Sequence, residues 1–291
     1  MERFVAVITL TVVIHLISTL AYSVRLAGVR TRRLLTAFSL YNIIYLMASF
    51  SNNIQAPLLT SIVEHGINAG AMQAGVGVPV EQLVFHEAYK GQLALLAEQI
   101  RLVMVAATVG TAAGALLIPP FISIFVKAIQ LFERTGSAIR AFSSIIFYCP
   151  PWRLRPCRFR FSACWPMIRQ ITKQRIKIPK KLLLANIFVS GFYLTGVLSA
   201  LYAGAMFPDF RTTATTLSMV INGFATVLGA MVVEPAASSI TDEAFRGDRD
   251  ESDVRQLAFY LALTRLLGTV FAQALFLPGA YIIKLIVQML D

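Results

Sequence analysis

An arginine inside a run of apolar residues is costly, so its presence asks for a reason. Arg265 stands in such a run, 261–270, with Thr269 and Gln273 following at steps of four residues, which puts all three on one helix face. A guanidinium at the centre of a bilayer costs about 2.5–3.5 kcal/mol on insertion scales and needs a partner or water. Glu234 and Glu98 are the carboxylates able to answer it from neighbouring helices. Two readings stay open: a cavity arginine that meets an anionic ligand, or an ion pair that locks helices together.

A second arginine, Arg25, ends a polar series. Thr11, His15, Ser18, Tyr22 and Arg25 are separated by four, three, four and three residues; Ser39, Asn42, Tyr45, Ser49 and Asn52 by three, three, four and three. Each series occupies one face of a helix. Between them lies a basic corner, 28–33, with Arg30, Arg32 and Arg33. Arginine grips phosphate with a planar, bidentate fork, or here serves only to orient the chain in a membrane. Asn42, Asn52, Asn53 and Gln55, and Asn222 with Thr226 further on, suit sugar hydroxyls or bonds between helices. His15 is a proton-coupling group or a neutral, hydrogen-bonded imidazole, the second being favoured. Polar stripes in hydrocarbon face a bundle interior or a water-filled cavity. The expectation is one wet groove open to the cytosol, with Arg25, Arg30, Asn42, Asn52, Asn53, Gln55, Asn222, Glu234, Arg265 and Gln273 as candidate substrate contacts.

Other chemistry leaves no pattern. There is no G-x-x-x-x-G-K-[ST], H-E-x-x-H or G-x-S-x-G, and no pair of carboxylates set for acid–base work. His65 and His86 lack metal-ligand spacing, and Cys149, Cys157 and Cys164 do not form C-x-x-C. No cofactor, metal or catalytic residue is expected. An enzyme would have to assemble its site from isolated side chains.

The elements that position these residues are membrane helices. The 291 residues are 57% hydrophobic and 14% charged, with a mean hydropathy of +0.68, too apolar for a soluble domain. Several runs exceed the ~18 apolar residues of a spanning helix. The fold class is all-α: one polytopic membrane bundle of about six spans plus amphipathic interfacial helices. The spans are expected at 4–24, 34–57, 93–118, 182–207, 212–233 and 256–276. Residues 4–24 are too long an apolar run for a signal peptide and are read as a retained span. Pro57 is expected to end or kink its helix, and Pro119-Pro120 and Pro278 to end theirs. An amphipathic helix is expected around 81–96 and another at 121–142, and the tail 280–290 lies in the interface or re-enters. Gly110 and Gly114 form a G-x-x-x-G packing motif.

Twenty of the 26 Lys and Arg fall in three loops on one side: four in the first, thirteen in the basic stretch 127–181, three before the last span. The opposite side has five. The positive-inside rule then puts these loops in the cytosol and both termini outside. The net charge of +11 points to anionic membrane lipid as a partner rather than nucleic acid.

The stretch 14–31, IHLISTLAYSVRLAGVRT, resembles the bacterial Amj family of alternate lipid II flippases. So do NIQAP at 53–57, LIP at 117–119, RLLGTVFAQ at 265–273 and Leu277-Pro278. The resemblance covers nearly the whole chain. It implies transbilayer movement of lipid II, the undecaprenyl-pyrophosphate-linked peptidoglycan precursor, from the inner to the outer leaflet of the bacterial cytoplasmic membrane. The chain departs from the family pattern at 48–51 and in the insert-like stretch 149–166. Two other functions are weighed beside it: a membrane-embedded enzyme on polyprenyl phosphates, and a non-transporting scaffold for envelope assembly.

Overall fold

The computed structural model describes residues 2–75, 78–137, 140, 169 and 176–290. Every regular element among them is helical. In chain order these are α1 (Glu2–Leu20), α2 (Tyr22–Thr31), α3 (Leu34–Ala74), the short α4 (Val80–Leu83), α5 (Glu87–Thr135) and α6 (Lys180–Met206). A 3-10 turn (Pro208–Phe210), α7 (Arg211–Thr216), α8 (Ser218–Leu228), a π-turn (Gly229–Val233), α9 (Glu234–Arg246) and α10 (Glu251–Leu290) follow. They make six stretches long and apolar enough to cross a membrane: α1 with α2, α3, α5, α6, Pro208–Arg246, and α10. Most of the basic stretch, including 149–166 and its three cysteines, lies outside the described residues.

The first span bends at Ala21. Ser23 Oγ donates to the Leu20 carbonyl at 2.5 Å and Thr19 Oγ1 to that of His15 at 2.7 Å, the back-bonding that loosens a helical turn. Arg32 ends α2 in the left-handed region (φ 56°), its N–H and that of Arg33 bonding back to Val29 and Gly28. Gly28 lies so close to α3 that a Cβ would meet Leu34 Cδ2 at 2.8 Å.

The prolines do not stop their helices. Pro57 lies inside α3, Pro119 and Pro120 inside α5, Pro278 inside α10. A proline removes one donor, and neighbouring helices can answer the carbonyls it leaves. Near Pro278, Ser199 Oγ donates to the Phe276 carbonyl at 2.8 Å and Arg101 Nη1 to that of Gln273 at 3.3 Å. The tail expected to re-enter is therefore the last part of α10. The helix expected on the lipid surface at 121–142 is, as far as Thr135, the C-terminal end of α5. Its Phe125 and Ile129 are buried with Val24, Ala27, Ala37 and Leu40 of α2 and α3, which gives the apolar face a protein partner. The expected amphipathic helix at 81–96 is split between α4 and the start of α5.

At 49 residues α5 is ~74 Å long, against ~30 Å of hydrocarbon, so it projects beyond the core. At the end distant from the basic corner, Tyr89 packs on Gly70 of α3 and donates to the Ala205 carbonyl of α6 at 2.7 Å.

The spans pack as two groups of three. α1, α3 and α5 form one; α6, α10 and the fifth span form the other, with α10 also lying against α5 and α2. Glycine sets the closest approaches. A Cβ on Gly114 would lie 2.8 Å from the Leu16 carbonyl oxygen, and one on Gly110 would strike Val12. Between α6 and α10, a Cβ on Gly268 would lie 2.6 Å from Ser190 Cβ. The fifth span is the least buried of the six: α8 packs mainly on α6 and barely touches α3. The second and fifth spans therefore have little direct contact with one another.

Gly114→Leu should cost about 1–3 kcal/mol through overpacking, whereas Gly223→Ala, where nothing lies within 4 Å of the new Cβ, should be neutral or slightly stabilising. Thermal midpoints of the purified variants in detergent check the contrast.

Candidate functional site

Arg25 sits where α2 passes between the two groups. Its guanidinium is almost wholly buried, with Nη2 2.5 Å from Glu234 Oε2, Nη1 donating to Ser238 Oγ at 3.2 Å, and Cζ 5.4 Å from the Phe38 ring centroid. The pair is asymmetric: the arginine side chain is 9% exposed, the glutamate 63%. The cation is sunk in protein, while its counter-ion reaches it from the wet side. The π-turn before Glu234 inserts an extra residue into the helical count and so resets which face carries the carboxylate; π-turns recur at functional sites. Pro235 follows at the first turn of α9 without leaving an orphan N–H.

Arg265 is positioned by its neighbours on α10. Asn186 of α6 donates to the Leu261 carbonyl at 2.9 Å and to Thr264 Oγ1 at 2.8 Å, and accepts from the Tyr22 hydroxyl at 3.4 Å. With the close crossing at Gly268, these bonds set the rotation of α10 and hence the direction of Arg265. Its Nε is buried and has no hydrogen-bond partner among the described residues; the same holds for His15 Nδ1 and Asn222 Oδ1. His15 and Tyr41 lie within the electrostatic field of Arg265, and Tyr41 also within that of Glu234. Tyr41 thus links the neighbourhood of the unpaired arginine to that of the paired one.

The structure therefore brings His15, Arg25, Glu234 and Arg265 to the region between the two groups of spans, together with Tyr22 of the first polar series and with Tyr41, Asn186 and Ser238, which the spacing of the sequence did not single out. Glu234, one of the two partners expected for Arg265, is taken by Arg25. Glu98, the other, is exposed on α5.

The remaining candidates lie elsewhere. Arg30 Nε bonds Glu251 Oε1 at 2.7 Å on the basic rim. Gln55 donates to Thr11 Oγ1 at 2.5 Å and ties α3 to α1. Gln273 and Arg101 are reciprocally bonded, Gln273 Nε2 donating to the Arg101 carbonyl at 3.2 Å, with the guanidinium over the Phe276 ring. Arg101, counted from the sequence with the outer charges, is thus a cross-link between α5 and α10. Asn42, Asn52 and Asn53 are exposed on the outer surface of α3. Asn222 lies against Gly196, where a Cβ would meet its Oδ1 at 2.5 Å. Arg265 and the Arg25–Glu234 pair share Tyr41 as a neighbour; the asparagines are not brought together. The spacing that put the amides on one face of α3 was real, but no signal in it says which face the bundle covers.

Two cations thus stand between the groups of spans: Arg25, buried and held by an exposed carboxylate, and half-buried Arg265, whose Nε has no partner among the described residues. Residues 10–287 match the family model described as "Amj: Alternate to MurJ". The chain belongs to the Amj family. It is 32% identical over 282 residues to the protein named Lipid II flippase Amj of Bacillus subtilis (strain 168), covering 93% of this chain and 91% of that one. No solved structure matches it. In this Amj member both Arg25 and Arg265 fall within the matched residues, as do Glu234 and the π-turn.

Glu234→Gln should lower the thermal midpoint, because it leaves a buried guanidinium without its counter-charge, a loss of about 1–3 kcal/mol after allowance for the exposed partner. The exchanged pair, Arg25→Glu with Glu234→Arg, should recover part of that loss. A double-mutant cycle measures it; a coupling of zero would remove the latch from the site.

Proposed function

We propose that this chain is a lipid II flippase, carrying the undecaprenyl-pyrophosphate-linked disaccharide peptide from the inner to the outer leaflet of the bacterial cytoplasmic membrane without altering it chemically. One observation carries the site assignment: an arginine with an unsatisfied, buried Nε between two groups of spans in an Amj member. The name of its Bacillus subtilis relative supports the substrate.

The chemistry of the passage follows from the geometry. The head of lipid II is anionic and rich in hydrogen-bonding groups, and its tail must stay in hydrocarbon. In this scheme the head enters between the second and fifth spans, which pack little against one another, while the tail remains outside. At the basic end the pyrophosphate competes with Glu234 for Arg25, one anion replacing another, so the buried guanidinium is never left bare. Arginine suits the exchange because its fork matches phosphate as well as carboxylate. Arg265 then takes the head deeper, with Tyr41 and a neutral His15 offering further hydrogen bonds. Asn222 is placed to meet the head from the fifth span. Arg30 acts at the entrance; Gln55 and Gln273, with their present partners, hold the walls. Asn42, Asn52 and Asn53 would meet a head only in a conformation that turns the outer face of α3 inward.

The basic loops lie in the cytosol in this scheme, where they attract anionic lipid, with both termini outside and no role for nucleic acid. All three native cysteines are in the basic stretch, so an impermeant maleimide should leave intact cells unlabelled and react only after permeabilisation. Labelling of intact cells would reverse the topology.

In a strain with no other lipid II flippase, the wild-type chain should sustain growth, and Arg265→Ala at equal protein level should cut transport at least ten-fold. Lipid II reconstituted with the protein should change leaflet with its mass unaltered. Undiminished growth of the alanine variant would remove Arg265 from the pathway. Turnover of the lipid would favour the enzyme.

A further inference from the structure

A second site lies on the other side of the wall that Arg25 and Arg265 belong to. A cleft of about 260 Å³ opens between α5 and α10, with Leu26 of α2 at its side. Ala112 and Ala115 on one wall oppose Ala258 and Ala262 on the other, and these small side chains leave the space. Arg255 is the one charged residue among its lining. Adjacent residues on a helix point to different faces: Leu26 lines the cleft while Arg25 reaches Glu234, and Leu266 lines it while Arg265, one residue before, does not. The cleft is therefore separate from the proposed path of the head.

We propose that this cleft binds an anionic phospholipid from the leaflet at the basic end, with one acyl chain in the cleft and the phosphate at its mouth. Three features choose that occupant. The first is charge. Glu251 Oε1 answers both Arg30 Nε, at 2.7 Å, and Arg255 Nη2, at 3.3 Å, so one carboxylate serves two guanidiniums and a positive charge is left over. Arg30 follows Leu26 by one helical turn and so stands above the same face. The second is length. From Arg255 to Leu266 the wall runs ~16 Å along α10, about half of the ~30 Å hydrocarbon core. That is the depth of one leaflet, right for an acyl chain and far short of an undecaprenyl tail. The third is polarity. Apart from Arg255 the walls are apolar, so water gains few hydrogen bonds there and a hydrocarbon chain fills the space better.

The test reads bound lipid rather than transport. The full chain, purified and stripped of lipid in detergent, is offered phosphatidylglycerol and phosphatidylethanolamine at equal concentration and weighed by native mass spectrometry. The first bound lipid should be phosphatidylglycerol by at least ten-fold. Arg255→Gln, which keeps the volume, should bring that preference close to one. Ala115→Leu, which fills the cleft, should reduce retention of both lipids at least ten-fold. The proposal is overturned if the wild type shows no preference, if Arg255→Gln keeps it, or if monodisperse Ala115→Leu holds lipid as the wild type does. It is also overturned if undecaprenyl phosphate displaces phosphatidylglycerol at equal concentration, which would make the cleft a tail site for the carried lipid.

Discussion

A guanidinium withdrawn from bulk water must be answered by something, and this bundle is arranged around two that are answered differently. Arg25 has a carboxylate, a hydroxyl and an aromatic face around it. Arg265 has at its Nε no partner among the described residues. Neither arrangement would persist on a lone helix in lipid, where a charged side chain snorkels or draws in water. Both depend on the second group of spans standing against the first, because Glu234 and Arg265 come from the C-terminal half of the chain and Arg25 from the N-terminal half.

That dependence explains how the halves meet. Each half is sealed within itself by glycine-mediated contact, at Gly110 and Gly114 against α1 and at Gly268 against α6. Such approaches let backbones come within van der Waals range, which drives helix association in a membrane where burial of apolar surface contributes little. Between the halves, shared apolar clusters are joined by polar cross-links: Arg25 with Glu234, Arg30 with Glu251, Tyr22 with Asn186, Arg101 with Gln273. The fifth span is the exception to close packing. Lightly buried, interrupted by a π-turn and carrying Glu234 just beyond it, it is the element with least to hold it in place.

A carrier of an anionic lipid has to hold the head firmly enough to draw it from the aqueous face, yet release it. In the proposed passage a cation already paired meets both demands, since the ligand would exchange for Glu234 on arrival and Glu234 would return on departure. Arg265, with no carboxylate partner among the described residues, would then offer the next position. The apolar cleft on the reverse of the same helices meets the opposite need, a hydrocarbon chain under a charged rim. One face of α10 thus suits a polar head and another a lipid tail.

The sequence by itself determined the class of fold and the residues that had to matter. Hydropathy marked six spans, and Arg25, Arg265 and Glu234 were conspicuous because charge among apolar residues is rare and costly. Family likeness in the stretches around Arg25 and Arg265 was legible too, since motifs are local. Only the tertiary structure decided which charge pairs with which. Glu234 goes to Arg25 and leaves Arg265 unpaired because a π-turn and a crossing fixed by Asn186 and Gly268 set the rotation of two distant helices, and rotation has no local signature. The same holds for the prolines. From the sequence Pro119, Pro120 and Pro278 look like stops and Pro57 like a stop or a kink, yet all four lie inside helices that run on, as is tolerated where neighbouring helices pack against the freed backbone.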